Sequence, residues 1–401
     1  LFWLRLLTAR TDIVGESGRN LRVLVFNVKG EDLLWLDKPN RFFTEEHAAA
    51  WRTLGVEPGP FPSVSRWAPP RRKSGDVAVP DVGGRQDVEV FAWTPREFID
   101  EGLLRFLFTD ASDLRTQVSF VAERVEAQLH RIAVDVAGRP GAVVLRDPIE
   151  GHRPGELVSP NPGERVIIDL ATLVDAIEEF IDPPDGEPDP KWTGRVQAGT
   201  VSAFMRRVHA AVGRLGHLVR AGESRRIDRS SAEVTVVGIQ SLHDLGQRFV
   251  VGALLAEAFR EKERSGQRLP LSVVVLDELN KYAPRDGQSP IKDMLIDIAQ
   301  RGRSLGVLLV GAQQTASRVA PEVLENAALR VAGRLDAAEA ERSEYGWMLP
   351  STRARARLLK PGTMVVSQPS IPVPIVVDFP FPPWATRKEE VAEADDPFDG
   401  L

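Results

Sequence analysis

Residues 272–284 read SVVVLDELNKYAP. The apolar run Val273–Leu276 passes straight into two carboxylates, Asp277 and Glu278, with no polar residue between them. An unbroken aliphatic run of this kind suits a strand buried on both faces. Two adjacent acids at its end are costly to desolvate unless a cation or a reaction occupies them. In a parallel sheet, ligands sit beyond the carboxyl ends of the strands, which is where this pair falls. The spacing divides the labour. Asp277 would hold the water shell of a magnesium ion, which favours one or two carboxylates plus phosphate oxygens. Glu278 would polarise water for attack on a γ-phosphate. The competing reading is a strand end capped by solvated acids.

The next apolar stretch sharpens the choice. VLLVGAQQTAS (307–317) runs from aliphatic residues into Gln313 and Gln314. An amide at the end of a strand beside the acid pair can sense a phosphate by hydrogen bonding without adding charge. Between the two stretches, AQRGRSLG places Arg301 and Arg303 in the last turn of a helix, where cations also suit the helix dipole. Upstream, AEVTVVGIQSL reads as a strand and LGQRFVVGALLAEAFREKER as a helix. Strands alternating with helices of this length predict an α/β fold, a parallel-rich sheet flanked by helices.

The remainder of the chain is less sharply patterned. LRVLVFNVKGEDLLWLD (21–37) predicts a buried strand, a turn at Lys29-Gly30 and a second apolar run. Residues 55–86 are dense in Pro and Gly and read as loop, whereas DVEVFAW (87–93) alternates like a strand. Residues 95–136 have helical spacing, 163–181 read as strand then helix, and a basic helix spans roughly 199–221. The expected organisation is therefore a first part of the core over 1–94, a mainly helical insertion over 95–230, the remainder of the core over 231–387 and an acidic, flexible tail over 388–401. The chain has 401 residues, 43% hydrophobic and 27% charged, with a net charge of −6, so no overall positive field advertises nucleic acid. The absence of cysteine excludes disulfides and thiolate metal sites, and none of the six histidines has metal-ligand spacing. No apolar run approaches a membrane span, and a cytoplasmic location is expected.

From about residue 232 to 387 the chain resembles the HerA/FtsK branch of P-loop ATPases. The resemblance rests on the order of VTVVGIQSL, VVVLDELNKYAP, DIAQRGRSLGVLLVGAQQTAS, VLENAALRVAGRLDAAEA and LLKPGTMVVSQPSIPVPIVVDFPFPPWATR. It implies a Walker B pair at Asp277 and Glu278, followed by a helix ending in R-x-x-G and a strand ending in A-x-Q. Arg303 and Gln314 match those last two positions, with Gln313 a close alternative, and Arg334 matches an arginine offered to a neighbouring subunit's nucleotide. The implied fold is RecA-like, and the implied protein is an ATP-hydrolysing, magnesium-dependent DNA translocase or helicase of the HerA type. It would work as a homo-hexameric ring, with a nuclease or other effector, in DNA processing, repair or defence against phage. A conjugation or secretion coupling ATPase and a catalytically degenerate ATPase scaffold are the alternatives.

No G-x-x-x-x-G-K-[ST] phosphate loop occurs in these residues. VLVFNVKGEDLLWL matches the strand that follows such a loop, with Asn27 where an acid is common. The expectation is that the loop lies before Leu1 and that LFWLRLL is the tail of its helix. Two basic runs are candidate DNA contacts: the arginines from Arg206 to Arg229, and STRARARLLK with Arg353, Arg355 and Arg357. Those last three share a face on a strand and fan out on a helix. Each run also reads as a solvated surface.

Overall fold

The computed structural model describes residues 1–9, 20–72, 78–108, 117–146, 156–183 and 189–392. The strands in chain order begin with β1 (Leu21–Asn27), β2 (Val64–Ala68), β3 (Glu89–Val90), β4 (Ala133–Val136), β5 (Val143–Leu145) and β6 (Leu157–Val158). They continue with β7 (Val234–Gly238), β8 (Leu271–Leu276), β9 (Val307–Gly311), β10 (Arg330–Ala332), β11 (Thr363–Ser367) and β12 (Ile375–Asp378). The principal helices are α1 (Phe2–Ala9), α2 (Val118–Ile132), α3 (Leu170–Ile181), α4 (Ala198–Leu215), α5 (Asp244–Ser265), α6 (Pro290–Leu305) and α7 (Pro350–Ala356).

The main sheet has six strands in the order β3-β2-β7-β1-β8-β9, and every pairing in it is parallel. Its central strands are apolar throughout because both faces are covered. In β1, Leu24 and Phe26 face one core while Leu21, Val23 and Val25 face another. In β7, Val237 joins the first core while Val234 and Val236 join the second, the alternation a pleated strand imposes. The larger core is filled by α5, whose Phe249, Val250, Val251, Leu254 and Leu255 point in nearly all directions and are all buried. The smaller core lies under α1 and is closed by Trp51, Phe61 and Trp384.

The structure departs from the sequence reading in three places. Residues 55–86 are not all loop, since β2 sits inside the sheet between β3 and β7. Its sequence, VSRWA, hides the strand because Arg66 interrupts the apolar pattern. That arginine is buried and pairs with Asp37 at 2.6 Å and Asp87 at 3.0 Å, and Arg85 joins the same two acids. The segment 95–230 carries α2, α3 and α4 but also a small sheet, β5-β4-β6, built from strands of two to four residues. The strand expected before α3 is absent among the described residues; Ile167 makes only an isolated bridge to Val143. Strands β10-β11-β12 form a separate antiparallel sheet. Of the acidic tail, Val391 is bridged to Asn40, and 393–401 lie outside the described residues.

Candidate functional site

The site is assembled at the carboxyl edge of the main sheet, where β1, β8 and β9 lie side by side. Strand β8 ends at Leu276, and the chain must turn sharply after it. Asp277 Oδ1 accepts the backbone N–H of Glu278 at 2.9 Å, and Glu278 adopts φ +55°, a left-handed conformation uncommon outside glycine. Such strain, of order 1–3 kcal/mol, persists only where surrounding structure enforces it, and it concentrates at functional sites. Here the enforcing contacts are the Leu279 N–H donating to the Ala312 carbonyl and the Ala312 N–H donating to the Leu276 carbonyl, both at 2.9 Å. These bonds bind the end of β9 to the end of β8, and they deliver Gln314 to the acid pair.

Gln314 Nε2 donates to Glu278 Oε1 at 3.3 Å. Gln313 Oε1 is buried without a hydrogen-bond partner. Of the two amides, Gln314 therefore faces the acids. The sequence did not pair a third group with them. Lys29, in the turn after β1, lies 3.5 Å from Asp277 Oδ2 and donates to Glu278 Oε1. Its turn is held by Asn27, whose buried side chain donates to the Gly30 carbonyl at 3.1 Å. Hydrogen bonding to Glu278 raises the lysine pKa and outweighs its partial desolvation, with the Asp277 charge adding to the rise. The only legible signal was the polar turn Lys29-Gly30 following a buried strand.

The donor set fits a magnesium–phosphate ligand. It offers carboxylate and amide oxygens, and a cationic ammonium already sits against both acids. Asp277 and Glu278 retain partial solvent access, 40% and 25% of the side chain. A second network lies just below. Lys281 pairs with Asp244 at the start of α5 at 2.7 Å and also donates to Gln247. Tyr282 is buried beneath it, and burial together with Asp244 raises its phenol pKa.

The helix α6 returns the chain to β9 through two glycines that cannot carry a side chain. A Cβ on Gly302 would stand 2.6 Å from the Val307 carbonyl oxygen. Gly306 has φ +75°, and its Cβ would stand 2.0 Å from the Arg268 carbonyl oxygen. The RGRSLG signature is in this respect a packing requirement of the turn. Arg301 pairs with Asp297 and Glu263, while Arg303 is exposed in the last turn of α6. Arg334 is exposed just after β10. Within the chain, the side chains of Asp277, Glu278 and Gln314 engage Lys29 and one another rather than Arg303 or Arg334.

The arginines 353, 355 and 357 do not share a face. Arg353 and Arg355 belong to α7 and Arg357 follows it, so at helical spacing they fan out. Arg353 is partly buried, with Nε lacking a hydrogen-bond partner. The other basic run is partly neutralised. Arg226 pairs with Glu101 at 2.6 Å and Arg229 with Glu261 at 2.6 Å. Among the described residues no cluster of three or more His, Asp or Glu side chains could hold a metal ion, and no helix is long and apolar enough to cross a membrane.

Comparison with known proteins bears on the fold. The chain aligns with VirB4 of Thermoanaerobacter pseudethanolicus at a TM-score of 0.50 and 14% identity, covering 95% of this chain and 86% of that one. It aligns with the bacterial conjugative coupling protein TrwB at a TM-score of 0.45 and 10% identity, covering 94% and 89%. The genome packaging NTPase B204 of Sulfolobus turreted icosahedral virus 2 aligns at 0.29 and 14% identity over 37% of this chain and 68% of that one. No family model and no curated protein matches the sequence. The likeness to VirB4 shows the fold, a RecA-like α/β arrangement of a parallel sheet flanked by helices.

Proposed function

We propose that the protein is a magnesium-dependent, ATP-hydrolysing motor of the HerA type that acts on DNA as a ring. The observation that carries this reading is one cluster at the carboxyl edge of a parallel sheet: Asp277 and Glu278 ending β8, and Gln314 at 3.3 Å from Glu278. Asp277 would orient the water shell of magnesium, and the ion would supply charge neutralisation at the phosphates. Glu278 would accept the proton of the attacking water, and Gln314 would report on the γ-phosphate through its amide. Arg334 or Arg303, both exposed, would act across a subunit boundary, and Arg353, Arg355 and Arg357 remain candidates for DNA phosphates.

A phosphate cradle is still required, and the sheet has room beside the acids for a strand bearing one. Among the described residues β9 has no partner on its outer edge, where Leu308 and Val310 are 37% and 43% exposed. Apolar residues on an open parallel edge are the mark of a strand built to be paired. A further parallel strand there would end beside Gln314, and in this reading its loop cradles the phosphates.

In the full-length protein, Glu278→Gln should bind ATP with unchanged affinity and lose turnover by roughly 10²–10⁴-fold, the usual worth of a positioned general base. DNA should stimulate the wild type alone. Undiminished hydrolysis by this variant would remove Glu278 from the role.

A further inference from the structure

Away from the acid pair, a cleft of about 530 Å³ opens where the loop after β2 meets the segment 95–230. Four stretches of chain wall it: the loop after β2, the β4–β5 turn, the residues entering α3 and the residues leaving α4. Hydrogen bonds tie these walls together. Gly222 N–H donates to the Pro140 carbonyl at 2.8 Å, Ala221 N–H to the Ile168 carbonyl at 2.6 Å, and Arg72 Nη2 to the Arg214 carbonyl at 3.2 Å. The cleft is thus built by the fold and does not arise from one loose loop.

Its chemistry is one-sided. Arg71, Arg72, Arg139 and Arg220 line it together with His217. The lining carboxylate, Asp169, is already engaged, accepting the Thr172 backbone N–H and the Thr172 hydroxyl at 2.8 Å each. Asp81 stands 3.9 Å from Arg71 Nε and offsets part of one charge. Burial, and then the Arg72 charge, hold the His217 pKa below its ordinary value. Among the described residues these four guanidinium groups outnumber the carboxylates Asp169 and Asp81, so the lining is net positive and suits an anion. The planar guanidinium forks match the oxygens of carboxylate and phosphate, and a cluster of several suits the higher charge of phosphate. The volume lies within the roughly 300–1,000 Å³ usual for ligand sites. The cleft opens beyond the carboxyl end of β2, on the same sheet edge as Asp277 and Glu278. Strands β7 and β1 separate β2 from β8, so at about 4.8 Å per strand the ends of β2 and β8 stand roughly 14 Å apart along the edge.

We infer that this cleft is a phosphate-binding site, distinct from the acid pair, that receives one or two phosphate groups through Arg71, Arg72, Arg139 and Arg220. The phosphates belong either to a free phosphorylated compound or to the backbone of a nucleic-acid strand. The two sources present the same oxygens to the same guanidinium groups. The inference is independent of ATP hydrolysis, because the probes below need no turnover.

The test uses inorganic pyrophosphate by calorimetry and a fluorescein-labelled single-stranded oligonucleotide by anisotropy. Each is titrated against the wild type and the double variant Arg72→Glu/Arg139→Glu. Both side chains are exposed, and because Arg72 also donates to the Arg214 carbonyl, the single variant Arg139→Glu is titrated beside the pair and should itself show part of the loss. A control, Arg41→Glu/Lys388→Glu, makes the same change in net charge at two exposed residues that do not line the cleft. The cleft variant should lose at least about tenfold in affinity for one probe, and for the oligonucleotide the log–log salt slope should fall by roughly 1.4 as two contacts disappear. The control should keep wild-type affinity. Loss for pyrophosphate alone assigns a free phosphate compound, and loss for the oligonucleotide alone or for both assigns a strand. Equal weakening of cleft variant and control, no weakening, or no saturable binding of either probe by the wild type would overturn the site.

Discussion

Four glycines separate two sources of backbone strain, and alanine at each gives a graded series. Gly213, in α4, has no positive φ, and a Cβ added there would meet nothing within 4 Å. Gly55 has φ +71° in open space. Gly302 has an ordinary helical backbone but would place its Cβ 2.6 Å from the Val307 carbonyl oxygen. Gly306 combines φ +75° with a Cβ 2.0 Å from the Arg268 carbonyl oxygen. Gly213→Ala should stabilise by about 0.5–1 kcal/mol, the helical preference of alanine over glycine. Gly55→Ala should cost about 1–2 kcal/mol for the left-handed conformation. Gly302→Ala should cost about 1–3 kcal/mol, because the obstructing atom is backbone and must move. Gly306→Ala carries both penalties and should cost on the order of 3–5 kcal/mol. Urea unfolding followed by the fluorescence of the eight tryptophans measures all four. A Gly306→Ala midpoint no lower than that of Gly55→Ala would refute the reasoning, since it would mean the Arg268 carbonyl gives way freely. The loss should also reach the site, because the Gly306 carbonyl accepts the Ser272 N–H at 2.8 Å and so sets the register of β9 on β8.

Lys29→Met should lower stability by less than about 1 kcal/mol, because the pair it leaves is half exposed. The raised lysine pKa means that this contribution is complete below the ordinary value of 10.5 and disappears as pH rises through the folded value, so wild type and variant should converge in strong alkali. Arg85→Ala should cost on the order of 3–5 kcal/mol by denaturant, since a guanidinium only 3% exposed holds Asp37 and Asp87 together with Arg66. Glu101, pushed up to about 7 by burial against the opposing pull of Arg226, holds its proton in the folded state after the unfolded chain has released it. Stability should therefore fall by on the order of 3 kcal/mol as pH rises from about 4.5 to 7, and Glu101→Gln should flatten that decline.

The legible parts of this molecule are those in which burial is two-sided and local. Strands β1, β7 and β8 each announce themselves as aliphatic runs because both of their faces are buried, and β9 is equally aliphatic although Leu308 and Val310 are exposed. Asp277, Glu278 and Gln314 could be placed because each directly follows such a run. Strand β2 could not. Its Arg66 is made affordable by Asp37 and Asp87, which lie 29 residues before and 21 after it, and no local pattern shows that pairing. The small sheet β5-β4-β6 was missed for a different reason: its strands are too short to display a period. The arginines at 353–357 alternate like a strand, yet Pro350 at the first turn starts a helix there. Lys29 was invisible as a site residue because its partners belong to a different strand, and only the sheet order brings them together.

That last pairing says something about how the molecule comes together. Lys29 and Glu278 stand 249 residues apart in the chain, with β2, β3, all of 95–230 and β7 synthesised between them. Strand β8 docks directly against β1, so the two charges cannot meet until the intervening polypeptide has been looped out and settled. Contacts of such long range form late in folding. The bridge is therefore a marker of completed assembly, and a chain arrested part-way would leave Asp277 and Glu278 without the ammonium that faces them.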